Sequence, residues 1–128
     1  MRKITDVRIK RVYEEPTHTD GFRVLVDRLW PRGVRKEDLP HDLWCKALAP
    51  SPDLRRWFGH KADHWDKFRD AYQHELNATD KQQAMQDLAK QAANAGYRRI
   101  TLLYAARDPK LNHAVILATV LRHHVLAD

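Results

Sequence analysis

A single cysteine, Cys45, excludes an intramolecular disulfide framework and the small secreted scaffolds that depend on one. Four glycines in 128 residues leave little room for a flexible linker, and neither a repeat nor a low-complexity tract occurs. No run approaches the ~18 consecutive apolar residues that a membrane span needs. No apolar stretch follows the basic residues of MRKITDVRIK, so a secretory signal is not read either. Neither G-x-G-x-x-G nor G-x-x-x-x-G-K-[ST] is present, which argues against a dinucleotide or P-loop phosphate site. What remains is one cytoplasmic globular domain spanning residues 1–128.

Apolar residues make up 43% of the chain, enough for a core, and the 31% that are charged make a soluble surface. Twenty-three Lys and Arg against seventeen Asp and Glu give a net charge of +6, which draws anions: nucleotides, phosphorylated metabolites, nucleic acid. The excess is spread along the chain, with thirteen basic and nine acidic residues in positions 1–60 and ten and eight in 61–128. A well-solvated basic surface explains this as readily as a binding role.

Val7 and Ile9 alternate with Arg8 and Lys10, the pattern of a half-exposed strand, which could run antiparallel at a sheet edge. FRVLVDRLW (22–30) is dense and β-branched, as a buried central strand requires, and Pro31 and Gly33 stop it. A weaker strand is expected over Asp42 to Leu48. Ser51–Pro52 reads as an N-cap and first helical residue of a short helix that Gly59 ends. Trp65, Phe68, Tyr72 and Leu76 form one helical stripe. Thr79 with Gln82 has the form of a capping box opening a further helix, with Gly96 at its end. ITLLYAA (100–106) is a second buried strand, and NHAVILATVLRHH (112–124) an apolar helix. Buried strands separated by helices imply parallel pairing through a crossover. The expected fold is a small three-layer Rossmann-like α/β sandwich with a short, mostly parallel sheet and helices packed on it.

Ligands of such sheets bind beyond the carboxyl ends of the strands. Two segments leave strands there: Asp27, Arg28, Trp30, Arg32 and Gly33 after the first buried strand, and Tyr104, Arg107, Asp108, Asn112 and His113 around the last. Guanidinium forks near a helix N-terminus make an anion site. Asp27 and His113 are the acid/base candidates, because histidine titrates near neutrality. Strand-end ion pairs and helix caps account for the same residues without a ligand. Trp30, between Arg28 and Arg32, has the surroundings to stack on a base. His60 and His64 are four apart beside Asp63, but no H-E-x-x-H forms and no third ligand is evident, so no metal is assigned. Cys45 reads as a small buried hydrophobe.

LVDRLWPRG (25–33), APSPDLRRWFGH (49–60), Trp65 with Phe68 and Tyr72, and TLLYAARDPKLNHA (101–114) together resemble the YeaO-like proteins of bacteria, a branch of the domain-of-unknown-function-488 superfamily. The resemblance covers nearly the whole chain and implies a Rossmann-like α/β fold. Other branches of the superfamily carry Cys-x-Glu and then Cys-His-Arg at the last strand and helix. Here Tyr104 and Ala106 stand for the first pair, and Asn112, His113 and Ala114 for the second, so only the histidine is kept and the resemblance does not imply the thiol or metal chemistry that those cysteines would support. The expectation is a protein that binds or acts on an anionic small molecule or nucleotide, held by Arg28, Arg32 and Arg107, with no cofactor identified. The alternative is a non-catalytic nucleic-acid-binding domain using the same basic edge, and a subunit contact through the tryptophan-rich half is a third possibility.

Overall fold

The computed structural model describes residues 3–126, so the two positions at each end of the expected 1–128 span lie outside the described residues. The alternation around Val7 forms β1 (Asp6–Arg11), and the two apolar runs form β2 (Phe22–Leu25) and β4 (Arg99–Tyr104). The weak third strand is shorter than its alternation suggests: β3 is only Leu43–Trp44, and a 3-10 turn over Lys46–Leu48 follows. The helices are α1 (Pro52–Phe58), α2 (Trp65–Leu76), α3 (Thr79–Asn94) and α4 (His113–Val125).

The strands lie in the order β1-β4-β2-β3 and every pairing is parallel. β1 is therefore an edge strand, but it runs with β4 and not against it, contrary to the antiparallel option. Six of its residues, Asp6 through Arg11, register with Arg99 through Tyr104. The loop before β2 can return close to this pair only through Gly21, whose φ is +72°; a Cβ there would lie 2.3 Å from the Arg99 carbonyl oxygen.

Period two splits the sheet into two faces. Val7, Phe22, Val24, Ile100 and Leu102 point to the face that all four helices cover, where they meet Phe58, Phe68, Tyr72, Leu76, Met85, Leu88, Leu117 and Leu121. The stripe on α2 is as expected: Phe68, Tyr72 and Leu76 are buried and Trp65 half-buried, while Asp66, Asp70, Gln73 and His74 are exposed. Leu25 and Leu103 point the other way, into a second cluster with Val12, Leu39, Trp30 and Trp44. That layer is made of the loop between β2 and β3 and not of helix.

Ser51 caps α1 through Leu54 N–H at 3.2 Å, and Gly59 ends it in the left-handed region. The capping box read at Thr79 does not form. Thr79 is already helical, and Ala78 occupies the cap with no side-chain bond. No helix among the described residues is long and apolar enough to cross a membrane.

Candidate functional site

Because β2 and β4 are neighbours and parallel, their carboxyl ends deliver Val26–Asp27 and Ala105–Ala106 side by side. Asp27 Oδ2 accepts the Ala105 amide at 3.1 Å, and the Asp27 carbonyl accepts the Trp44 indole N–H at 2.7 Å. From the first turn of α4, His113 reaches across. Its Nε2 lies 3.0 Å from the Val26 carbonyl and 3.4 Å from Asp27 Oδ1. A carbonyl only accepts, so Nε2 carries the proton and the lone pair of the neutral ring is at Nδ1. Asp27 Oδ1 is buried with no hydrogen-bond partner.

Burial pushes the Asp27 carboxyl above its ordinary range, against the opposing pull of His113, the Ala105 amide, Arg55 and His60. Burial likewise pushes His113 below its ordinary value, opposed by Asp27 and the Val26 carbonyl. The two acid/base candidates are thus brought together, as one tightly held pair joining the loop after β2 to α4.

This pair lies at a cavity of about 380 Å³, in the size range of small-molecule sites. Its apolar walls include Pro31, Ala49, Pro50, Phe58 and Phe68, and Arg28, Arg32, Arg55 and His60 supply charge or polarity. A wider groove of about 740 Å³ adjoins it, sharing Tyr13, Arg32, His60, Ala105 and Ala106, and adding Arg11, Arg107 and Asp108.

Elsewhere, arginines meet carboxylates: Arg8, Arg23, Arg35, Arg56, Arg69 and Arg99 each lie within ion-pair distance of one. Among the described residues, none of the arginines lining the two cavities has such a partner. Arg28 donates to the Pro50 carbonyl at 3.3 Å, and Arg11 uses its Nε on the carbonyls of Ala105 and Ala106 while lying over the Tyr13 ring. The side chains of Arg32, Arg55 and Arg107 form no ion pair and are exposed. The backbone of Arg32 is fixed, because its carbonyl accepts the Tyr13 hydroxyl at 3.0 Å.

Other expected site residues have structural duties. Asn112 is 1% exposed and caps α4: its Oδ1 accepts Val115 N–H while its Nδ2 donates to the Asp108 carbonyl. Asp108 closes the preceding turn on the amides of Lys110 and Leu111, which hold its carboxyl below the usual range. Tyr104 is buried in the core beneath the helices, and burial raises its hydroxyl. Gly33 turns the chain at φ +74° and lines neither cavity. Trp30 lines the inner cavity, but its Nε1 donates to the Val34 carbonyl at 2.6 Å and its ring packs edge-on against His41 and Trp44. The aromatic rings best placed at the inner wall are instead Phe58 and Phe68, stacked 4.2 Å apart.

Arg55 and His60 were not singled out as ligand residues from the sequence. The one available signal was the basic pair Arg55–Arg56 just ahead of the helix-ending Gly59, and only the fold shows which arginine turns to the cavity. His60 parts from His64, whose ring stacks on Trp57 at 4.2 Å. Among the described residues, no group of three His, Cys, Asp or Glu side chains is placed to hold a metal ion. Cys45 is half-buried, and burial raises its thiol above the ordinary value.

A family model described as the inactive DUF488-N3 subclade matches residues 6–128. The uncharacterised protein YeaO of Escherichia coli (strain K12) is 40% identical over 118 residues, covering 91% of this chain and 97% of that protein. The uncharacterised protein Rv3073c of Mycobacterium tuberculosis (strain H37Rv) is 41% identical over 121 residues, covering 94% and 98%. No solved structure gives a significant match.

Proposed function

The chain belongs to the inactive DUF488-N3 subclade, and from that premise we propose that it is a cytoplasmic binding protein for an anionic, phosphate-bearing small molecule. The observation that carries this reading is the partition of arginines. Six arginines away from the cavity, Arg8, Arg23, Arg35, Arg56, Arg69 and Arg99, lie within ion-pair distance of a carboxylate, whereas Arg28, Arg32 and Arg55 line a cavity whose one carboxylate, Asp27, lies within ion-pair distance of none of them. Guanidinium groups lining one cavity suit a bound phosphate, which they can hold through forked hydrogen bonds. The apolar walls would receive the rest of the ligand.

The word inactive in the family's description supports binding without turnover, and so does the site itself. One polar atom of each, Asp27 Oδ2 and His113 Nε2, is spent on a backbone group of the two loops, which suits the pair to hold the cavity's floor. The wiring, a shortened Rossmann-like sheet with loops at its carboxyl edge, supports the same location. A lone cysteine, with no second in the chain to pair with, suits a reducing compartment.

The test is thermal denaturation and calorimetric titration with inorganic phosphate and with AMP, on the native chain, Arg32→Ala and Arg32→Lys. Both ligands should raise the melting temperature of the native chain. Arg32→Ala should melt within ~0.5 kcal/mol of it, as for a surface site, yet lose the response, and Arg32→Lys should regain only part, because the fork is lost. A native chain unmoved by either ligand contradicts the proposal. Affinity for single-stranded RNA that falls by orders of magnitude between 50 and 200 mM salt would favour the nucleic-acid reading instead.

A further inference from the structure

We infer that the ligand carries two linked anionic groups on an apolar or aromatic body, the chemistry of a nucleoside diphosphate. This rests on the binding role proposed above and goes on to specify its substrate class. Three observations lead to it.

The first is that the inner cavity and the outer groove are continuous. Arg32 and His60 line both, so anything held at these two residues contacts both spaces at once. The second is that cations stand on either side of that boundary. Arg28 and Arg55 belong to the inner cavity alone, Arg11 and Arg107 to the outer groove alone. A single phosphate at the boundary leaves one of these pairs unused, whereas two linked phosphates satisfy both. The outer groove does contain one carboxylate, Asp108, but its Oδ1 is taken by the Lys110 and Leu111 amides. The third is the backbone of His60. Its φ is +59°, the one positive value at a non-glycine residue among those described, and it directly follows Gly59 at +54°. A histidine in the left-handed region is disfavoured, and such residues gather at ligand sites. Here the conformation sets an imidazole at the junction of the two spaces, near enough to Asp27 and His113 to influence both.

The body of the ligand would enter the inner cavity among its apolar walls, which include Pro31, Ala49, Pro50, Phe58 and Phe68. Its first phosphate would meet Arg28, Arg55 and Arg32, and its second Arg32, Arg107 and Arg11.

Calorimetric titration of the native chain with the four ribonucleoside monophosphates, the matching diphosphates and inorganic pyrophosphate tests this. At least one diphosphate should bind tenfold or more tightly than both its monophosphate and pyrophosphate. Arg107→Ala, whose side chain makes no ion pair to lose, should bring that diphosphate down to the affinity of its monophosphate and leave the monophosphate unchanged. Arg55→Ala should weaken both alike. Equal affinity for monophosphate and diphosphate overturns the two-anion inference while leaving the binding role intact. Pyrophosphate binding as tightly as every diphosphate removes the apolar body. Absence of binding by all nucleotides, with inorganic phosphate still recognised through Arg32, rejects the nucleotide chemistry alone.

Discussion

Two buried carboxylates in this chain face opposite circumstances. Asp20 is surrounded by donors. Burial works against its charge, but the Thr17 amide and hydroxyl, Lys10 and Arg23 outweigh it and hold the carboxyl far below the usual range. Asp20→Ala would leave the buried Arg23 guanidinium without its carboxylate, so a loss of ~3–5 kcal/mol is expected in urea denaturation. A depressed carboxylate contributes stability that is present above the unfolded value of 3.8 and lost as pH falls below it. Asp27, short of donors at Oδ1, shows the reverse displacement. Its partner His113 sets the response to mild acid. Its folded value lies below the unfolded 6.5, so under that pH the unfolded chain binds a proton that the folded chain refuses. The contribution of His113 to stability should therefore be level above pH 6.5 and decline below it. In His113→Gln, which retains a donor for the Val26 carbonyl, that part of the decline should be missing. Parallel slopes for the two proteins between pH 7 and 5 would show that His113 carries no such shift.

At the scale of elements, α2 packs against the other three helices. Phe68, 2% exposed, stacks on Phe58 and near Tyr72, and Tyr72 donates its hydroxyl to the Leu48 carbonyl. Phe68→Ala should cost ~3–5 kcal/mol, a large share of a small domain's stability, and an unchanged melting temperature would remove the stripe from the core. Gly21→Ala should destabilise as well, because its Cβ meets the Arg99 carbonyl in a turn that also requires positive φ. The helix stripe, the Ser51 cap and the two buried strands were legible in the sequence because each follows a local periodicity or a local cap. The direction of β1 was not, since Val7–Arg8–Ile9–Lys10 alternates equally well in either sense, and only the crossover to β4 decides it. β3 is cut to two residues because the chain must bend at Cys45 to enter the turn before α1, which alternation does not encode. Within the site, Asp27, Arg28, Arg32 and His113 were visible as strand-end and helix-start residues. Asn112, read with them as a ligand residue, lines the inner cavity while spending its amide on the cap of α4. Arg55 and His60 arrive from α1 and its exit, and only tertiary packing brings them there.

For the molecule as a whole, a net charge of +6 is less informative than its distribution. Six arginines on the flanks lie within ion-pair distance of carboxylates, whereas those lining the two cavities at the sheet's carboxyl edge do not. An anion held at that edge would stabilise the folded chain, so under the proposed function ligand and fold should be linked. The linkage is most directly read by following the melting temperature of the native chain and of Arg32→Ala as phosphate is raised at constant ionic strength. A rise in the native chain that saturates, and that disappears in an Arg32→Ala protein of otherwise equal stability, is the predicted result. Equal rises in both proteins, or none in either, would contradict an anion site built on these arginines.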